Sequence, residues 1–215
     1  MGVSLSGNSN FQRAHFSDTL LLWTNPITNE GGYKEMEEIC FFHTVGQIVF
    51  NAFINGIPLR AGIGFGECYV DRRTSTYLGP AIVDAYEVEA AQEWIGAALH
   101  PNCPIYRIPH RGHHYRGQLV RYQVPTKTES RLNLETAIDW TELAQLPAEF
   151  SVKEFGMSFR QELEQSFEEY LKLDLPAEAL LKYSNAQKFV KKQITRELKR
   201  RARGGRYTRE LLSSR

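Results

Sequence analysis

A chain of 215 residues, 42% hydrophobic and 24% charged, has the make-up of a globular protein long enough to bury a sizeable core. No run of about eighteen apolar residues occurs, so no membrane-spanning helix is expected, and Met1 to Asn10 is polar rather than signal-peptide-like. The net charge of +1 hides an asymmetry: Lys188 to Arg215 carries eleven basic residues against Glu197 and Glu210, which leaves the preceding body acidic. Cys40, Cys68 and Cys103 are odd in number and widely spaced, as expected of reduced thiols in a bacterial-type cytoplasm.

Phe11 to Trp23 reads as a tight hairpin turning at Ser17-Asp18, its second arm an apolar run suited to a strand buried on both faces. Asn25 to Gly32 is a loop. Tyr33 to Asn55 is a helix in which Met36, Ile39, Cys40, His43, Gln47 and Phe50 recur at helical steps, with Phe42, Val45, Ile48, Val49 and Phe53 widening the apolar face. Asn55-Gly56 ends it. Leu59 to Val70 is predicted to be one strand carrying Gly62, Gly64 and Gly66. A dinucleotide fingerprint would need its glycines to open a helix, so close backbone packing is the better explanation here. Asp71 to Ser75 turns the chain into a short return strand, Thr76 to Gly79. Pro80 to Leu99 is predicted as a single helix, started by its proline and striped by Ala81, Ala85, Val88, Ala91, Ile95 and Ala98.

Tyr115 to Val124 is a further strand, Pro125 to Leu134 is polar, and Ile138-Asp139-Trp140 supplies an aromatic anchor. Lys153 to Leu173 and Ala177 to Arg203 form two charged amphipathic helices joined across Asp174-Leu175-Pro176. His100, Cys103, His110, His113 and His114 match no closed zinc spacing, and their basic surroundings favour a solvated loop or phosphate contact. Cys40 and Cys68 read as small buried hydrophobes. Lys188, Lys191, Lys192, Arg196, Lys199, Arg200, Arg201 and Arg203 form a basic helix that can meet nucleic-acid phosphates, an anionic surface or the acidic body itself. With only Phe189 and Tyr207 as aromatics, base stacking is not supported.

Three stretches in order resemble the class III nucleotidyl cyclases. Arg13 to Leu20 looks like the hairpin that carries that family's second metal-binding aspartate, here Asp18. Leu59 to Cys68 is similar to its Arg-x-Gly-Ile-x-x-Gly-Glu-Val strand, and Tyr77 to Glu89 resembles its Gly-Asp-x-Val-Asn-x-Ala-x-Arg segment. Within the family, the pyrimidine cyclases of bacterial anti-phage signalling are the nearest branch. The resemblance implies an α+β fold, with a ferredoxin-like cyclase sheet and covering helices over 1–125. A linker would follow over 126–150, and a C-terminal helical hairpin with its basic tail over 151–215. It also implies a homodimer or a hetero-partner, a nucleoside triphosphate ligand met by Arg13, His15 and Arg60, and Mg²⁺ or Mn²⁺ at Asp18.

In that family the ribose 3′-hydroxyl attacks the α-phosphate while two ions held by two carboxylates activate the nucleophile and neutralise charge. Here no acid precedes Asp18, so the resemblance implies a domain without its first strand–helix unit. The family's Asn falls on Val83 or, with a one-residue slip, on Asp84; its Arg falls on Glu87 and its base-selecting Asp on Pro80. A divergent, catalytically impaired module that binds or senses nucleotides is therefore expected. An active cyclase forming 3′,5′-cyclic nucleotides and a basic-tailed interaction module are the alternatives.

Overall fold

Turn chemistry makes the first element pair. In the computed structural model, which describes residues 11–16, 18–24, 33–104, 118–142 and 158–213, β1 (Phe11–Phe16) and β2 (Thr19–Thr24) pair antiparallel, with Phe16 opposite Thr19. The ribbon has no further strand partner among the described residues, so Thr19 and Leu20 are exposed and the rest of β2 half-buried, not enclosed on both faces as expected. It rests instead on the second hairpin: Phe16 and Trp23 meet the Tyr77 ring edge-on at 4.8 and 5.8 Å.

The helical period of Phe42, Val45, Val49, Phe50 and Phe53 aims one face of α1 (Tyr33–Ile54) into the core. Gly56, at φ 88°, then closes it: Gly56 N donates to Phe53 O and Ile57 N to Ala52 O, the paired bonds of a Schellman end. The chain continues into β3 (Arg60–Ile63), the hairpin β4 (Tyr69–Asp71) and β5 (Thr76–Leu78), α2 (Pro80–Ala91) and β6 (Gly96–Leu99). β6 pairs parallel with β3, Ile63 opposite Leu99, and β8 (Thr136–Ile138) lies antiparallel between β6 and β7 (Leu119–Arg121), giving the order β3-β6-β8-β7.

The glycines of β3 and its extension explain how α2 sits on this sheet. A Cβ on Gly62 would lie 1.9 Å from Ala85 O and one on Gly64 2.0 Å from Ala81 O, so the strand's glycine face touches the helix backbone directly. Across the sheet, α3 (Phe159–Leu171), capped by Ser158 and Gln161 in a reciprocal box, packs with α4 (Ala177–Ser213) on α1. Phe53 meets the rings of Trp140, Phe167, Tyr170 and Tyr183, and Phe189 of α4 meets Trp94, Tyr122 and Trp140. Each such fully buried aromatic contributes about 1.5–3 kcal/mol. The architecture is α+β.

Several sequence expectations are corrected. The helix expected over Pro80–Leu99 ends at Ala91; Gly96-Ala97-Ala98-Leu99 is a strand buried on both faces, whose small residues mimic a helical stripe. Gln92 fixes the break, since its side chain donates to Ala61 O and Val88 O and accepts from Trp94 Nε1. The strand expected over Leu59–Val70 is two strands, and α4 runs past Arg203. Cys40 and Cys68 are exposed and only Cys103 is buried, because Cys40 lies outside the buried face of α1 and Cys68 beyond the end of β3. The expected Asn25–Gly32 loop, residue Ser17 and the histidines at 110, 113 and 114 lie outside the described residues.

Candidate carboxylate–histidine site

Starting α2 at Pro80 puts Asp84 and Glu87 three residues apart, on one side of the helix. β6 then delivers His100 just beyond its last residue, where His100 N donates to Ile63 O. The imidazole Nδ1 is 3.2 Å from Asp84 Oδ2, and Nε2 is 4.0 Å from Glu87 Oε2. One donor atom from each of the three side chains lies within 4.8 Å of the other two. The side chains of His100 and Asp84 are 7% and 18% exposed, while Glu87 at 54% opens to solvent. Asn102 N also donates to His100 Nδ1 at 3.2 Å.

Cys103 lies behind this group. Its N–H donates to His100 O and its thiol to Ile63 O. Burial pushes the Cys103 thiol up to about 12; the bond to the His100 backbone opposes this and the negative charge of Asp84 adds to it. Such a thiol is held neutral and is no nucleophile at ordinary pH.

The residues expected to meet nucleotide are placed differently from one another. Arg60 is engaged: Nη2 lies 2.7 Å from Glu89 Oε1 and Nη1 donates to Gln92 O, tying β3 to the end of α2. Arg13 and His15 alternate onto one exposed face of β1. Asp18 is exposed at the ribbon's tip and accepts a long 3.5 Å hydrogen bond from its neighbour Thr19. Among the described residues Asp18 belongs to no group of three or more metal-ligating side chains.

The resemblance singles out Asp84, but its contact with His100 was not legible in the sequence. Nothing local in the sequence joins the two, because the contact exists only once β6 has been laid beside β3. A second polar group was also missed: His43 Nδ1 lies 3.2 Å from Glu142 Oε2, and Gln47 Nε2 lies 2.7 Å from His43 Nε2. On α4, Lys188, Lys191, Arg196 and Lys199 are exposed and make no ion pair with a described residue; Lys192 lies over the Tyr122 ring and Arg200 pairs with Glu197. Among the described residues no helix is long and apolar enough to cross a membrane. No protein-family model matches this chain, and no curated protein or solved structure matches it either.

Proposed function

We propose that this chain is a cyclase-homology domain, with a ferredoxin-like cyclase sheet built around β3, α2 and β6, that binds nucleoside triphosphate without cyclising it. The observation that carries the reading is the seating of α2 on the glycines of the Arg60–Glu67 stretch, a close approach that gives the family-like glycine pattern a physical reason. Arg13 and His15, exposed beside Asp18, are the groups offered to the phosphates, while Arg60 holds α2 to β3.

The absence of cyclisation follows from charge. Attack on the α-phosphate builds negative charge, which donors and cations must meet in place. At the position corresponding to the family's Arg this chain has Glu87, beside a second carboxylate. That arrangement opposes the transition state instead of stabilising it. The domain works as a dimer, which the exposed apolar side chains Tyr69, Leu78, Val83 and Tyr86 on β4, β5 and α2 support.

The test is to incubate the purified chain separately with ATP, GTP, CTP and UTP, with Mn²⁺ and then Mg²⁺. Binding is followed by calorimetry, products by mass spectrometry and assembly by sedimentation. Binding of at least one nucleotide with no cyclic product is expected. A 3′,5′-cyclic product that disappears in Asp18→Ala would establish an active cyclase, and no binding of any nucleotide would sink the reading altogether.

A further inference from the structure

Asp84, Glu87 and His100 come together at a place where the resemblance implies no metal at all. We infer that these three side chains form a binding site for one divalent transition-metal ion of the zinc type. The inference rests on the residues themselves, not on the nucleotide reading.

Geometry is the first argument. An ion with bonds of ~2.1 Å holds tetrahedral ligand atoms ~3.4 Å apart. The Asp84–His100 separation is already 3.2 Å, and the whole set spans no more than 4.8 Å, so a shift of the exposed Glu87 side chain closes it. Charge is the second. Two carboxylates, one of them four-fifths buried, meet no Lys or Arg among the described residues; the nearby Arg60 is committed to Glu89. Burying carboxylate without a compensating cation is costly.

The hydrogen bonds at His100 supply the third argument. Asn102 N–H points at Nδ1 and requires a lone pair there, yet Asp84 Oδ2 stands at the same 3.2 Å and requires a proton. One nitrogen cannot meet both demands at full strength. A simple Asp–His pair would explain Asp84 but leave Glu87 without a role. A cation held by Nδ1 and the two carboxylates gives all three ligand atoms an electrostatic partner.

Donor chemistry selects the ion. One imidazole nitrogen with two carboxylate oxygens suits Zn²⁺, Co²⁺ or Mn²⁺ better than Mg²⁺, which prefers oxygen and keeps its waters. Three protein ligands leave a further position on the Glu87 side for water or a phosphate oxygen.

The metal-free full chain, without nucleotide, is titrated with Co²⁺ and followed by visible absorption, then challenged with Zn²⁺. One equivalent of Co²⁺ per chain, displaced by Zn²⁺, is expected. Glu87→Gln, at an exposed position that leaves the fold intact, should weaken binding about tenfold or more, and His100→Gln should remove the band. Far-UV circular dichroism checks that each variant folds; if His100→Gln does not, Glu87→Gln alone decides. No saturable Co²⁺ band, or an affinity unchanged in Glu87→Gln, overturns the site. Because nucleotide is absent throughout, neither result depends on whether the chain binds one.

Discussion

The β1–β2 ribbon and the β3–α2–β6 unit each hold a carboxylate that the cyclase resemblance brings forward, and the two settings differ in almost every physical respect. Asp18 stands at the tip of a two-stranded ribbon, exposed, with only a weak bond from Thr19 among the described residues. Asp84 lies on a helix that touches its strand backbone to backbone, faces a buried histidine, and raises the affinity of a buried thiol for its proton. In water a lone carboxylate is nearly free of its surroundings; in an enclosed site each neighbour is felt. Position in a motif therefore says where chemistry could be, and enclosure says where it has consequences.

The sharpest way to break this comparison is to wedge α2 off its strand. Gly64→Val places a branched side chain on a Cβ that already lies 2.0 Å from Ala81 O. A loss of about 3 kcal/mol or more is expected in urea denaturation, enough to abolish cooperative folding in a marginal domain. Leu20→Ala on the ribbon, removing a side chain 45% exposed, should cost about 1 kcal/mol or less. Equal costs would mean that the two regions are equally enclosed.

Cys103 gives a smaller effect of definite sign. Its folded thiol titrates near 12 against an ordinary 9.0, so above pH 9 the unfolded chain loses this proton while the folded one keeps it. The unfolded state then binds fewer protons, and stability falls as pH rises. Whatever this group contributes is fully present below pH 9.0 and is lost progressively on the way to about 12. Buried Tyr183 and half-buried Tyr122 and Tyr170, whose hydroxyls are also raised chiefly by loss of solvent, steepen the fall above pH 10.0. Urea midpoints between pH 8 and pH 11 should fall less steeply in Cys103→Ala than in the parent chain. An aromatic disulfide reagent should titrate Cys40 and Cys68 rapidly and Cys103 only after unfolding.

What could be read in advance follows the range of the interactions involved. The hairpin, α1 with its Asn55-Gly56 end, the start of α2 at Pro80 and the glycine packing of β3 depend on turn residues, caps and short periodicities, which lie close together in the chain. The end of α2 was not legible. Ile95 and Ala98 continue an apolar stripe, and it is pairing with β3 and β8 that makes Gly96–Leu99 a strand. The site shares that limit. Asp84 and Glu87 were visible as departures from a family pattern, but their meeting with His100 depends on the strand that sequence periodicity took for helix. The exposure of Cys40 and Cys68 belongs to the same class, since which face of an apolar helix is covered is settled by the neighbours it meets.

The smallest expected effect isolates the two carboxylates from each other. Asp18→Ala removes an exposed charge with one weak local bond, so its stability should stay within about 0.5 kcal/mol of the parent. Asp84→Asn changes charge with almost no change in shape, at a position where His100 loses an anionic neighbour 3.2 Å away. The expected loss is about 1–3 kcal/mol, because a charge-assisted contact to a buried imidazole is replaced by a neutral one. Both variants are read in one urea series and in the Co²⁺ titration, where only Asp84→Asn should weaken binding. The reverse pattern, with Asp18→Ala costing more and releasing the metal, would return the functional weight to the hairpin and make the α2 cluster an ordinary polar contact. A matched pair of small effects would instead mean that solvent reaches His100 freely, and that the enclosure which separates the two carboxylates has no energetic consequence.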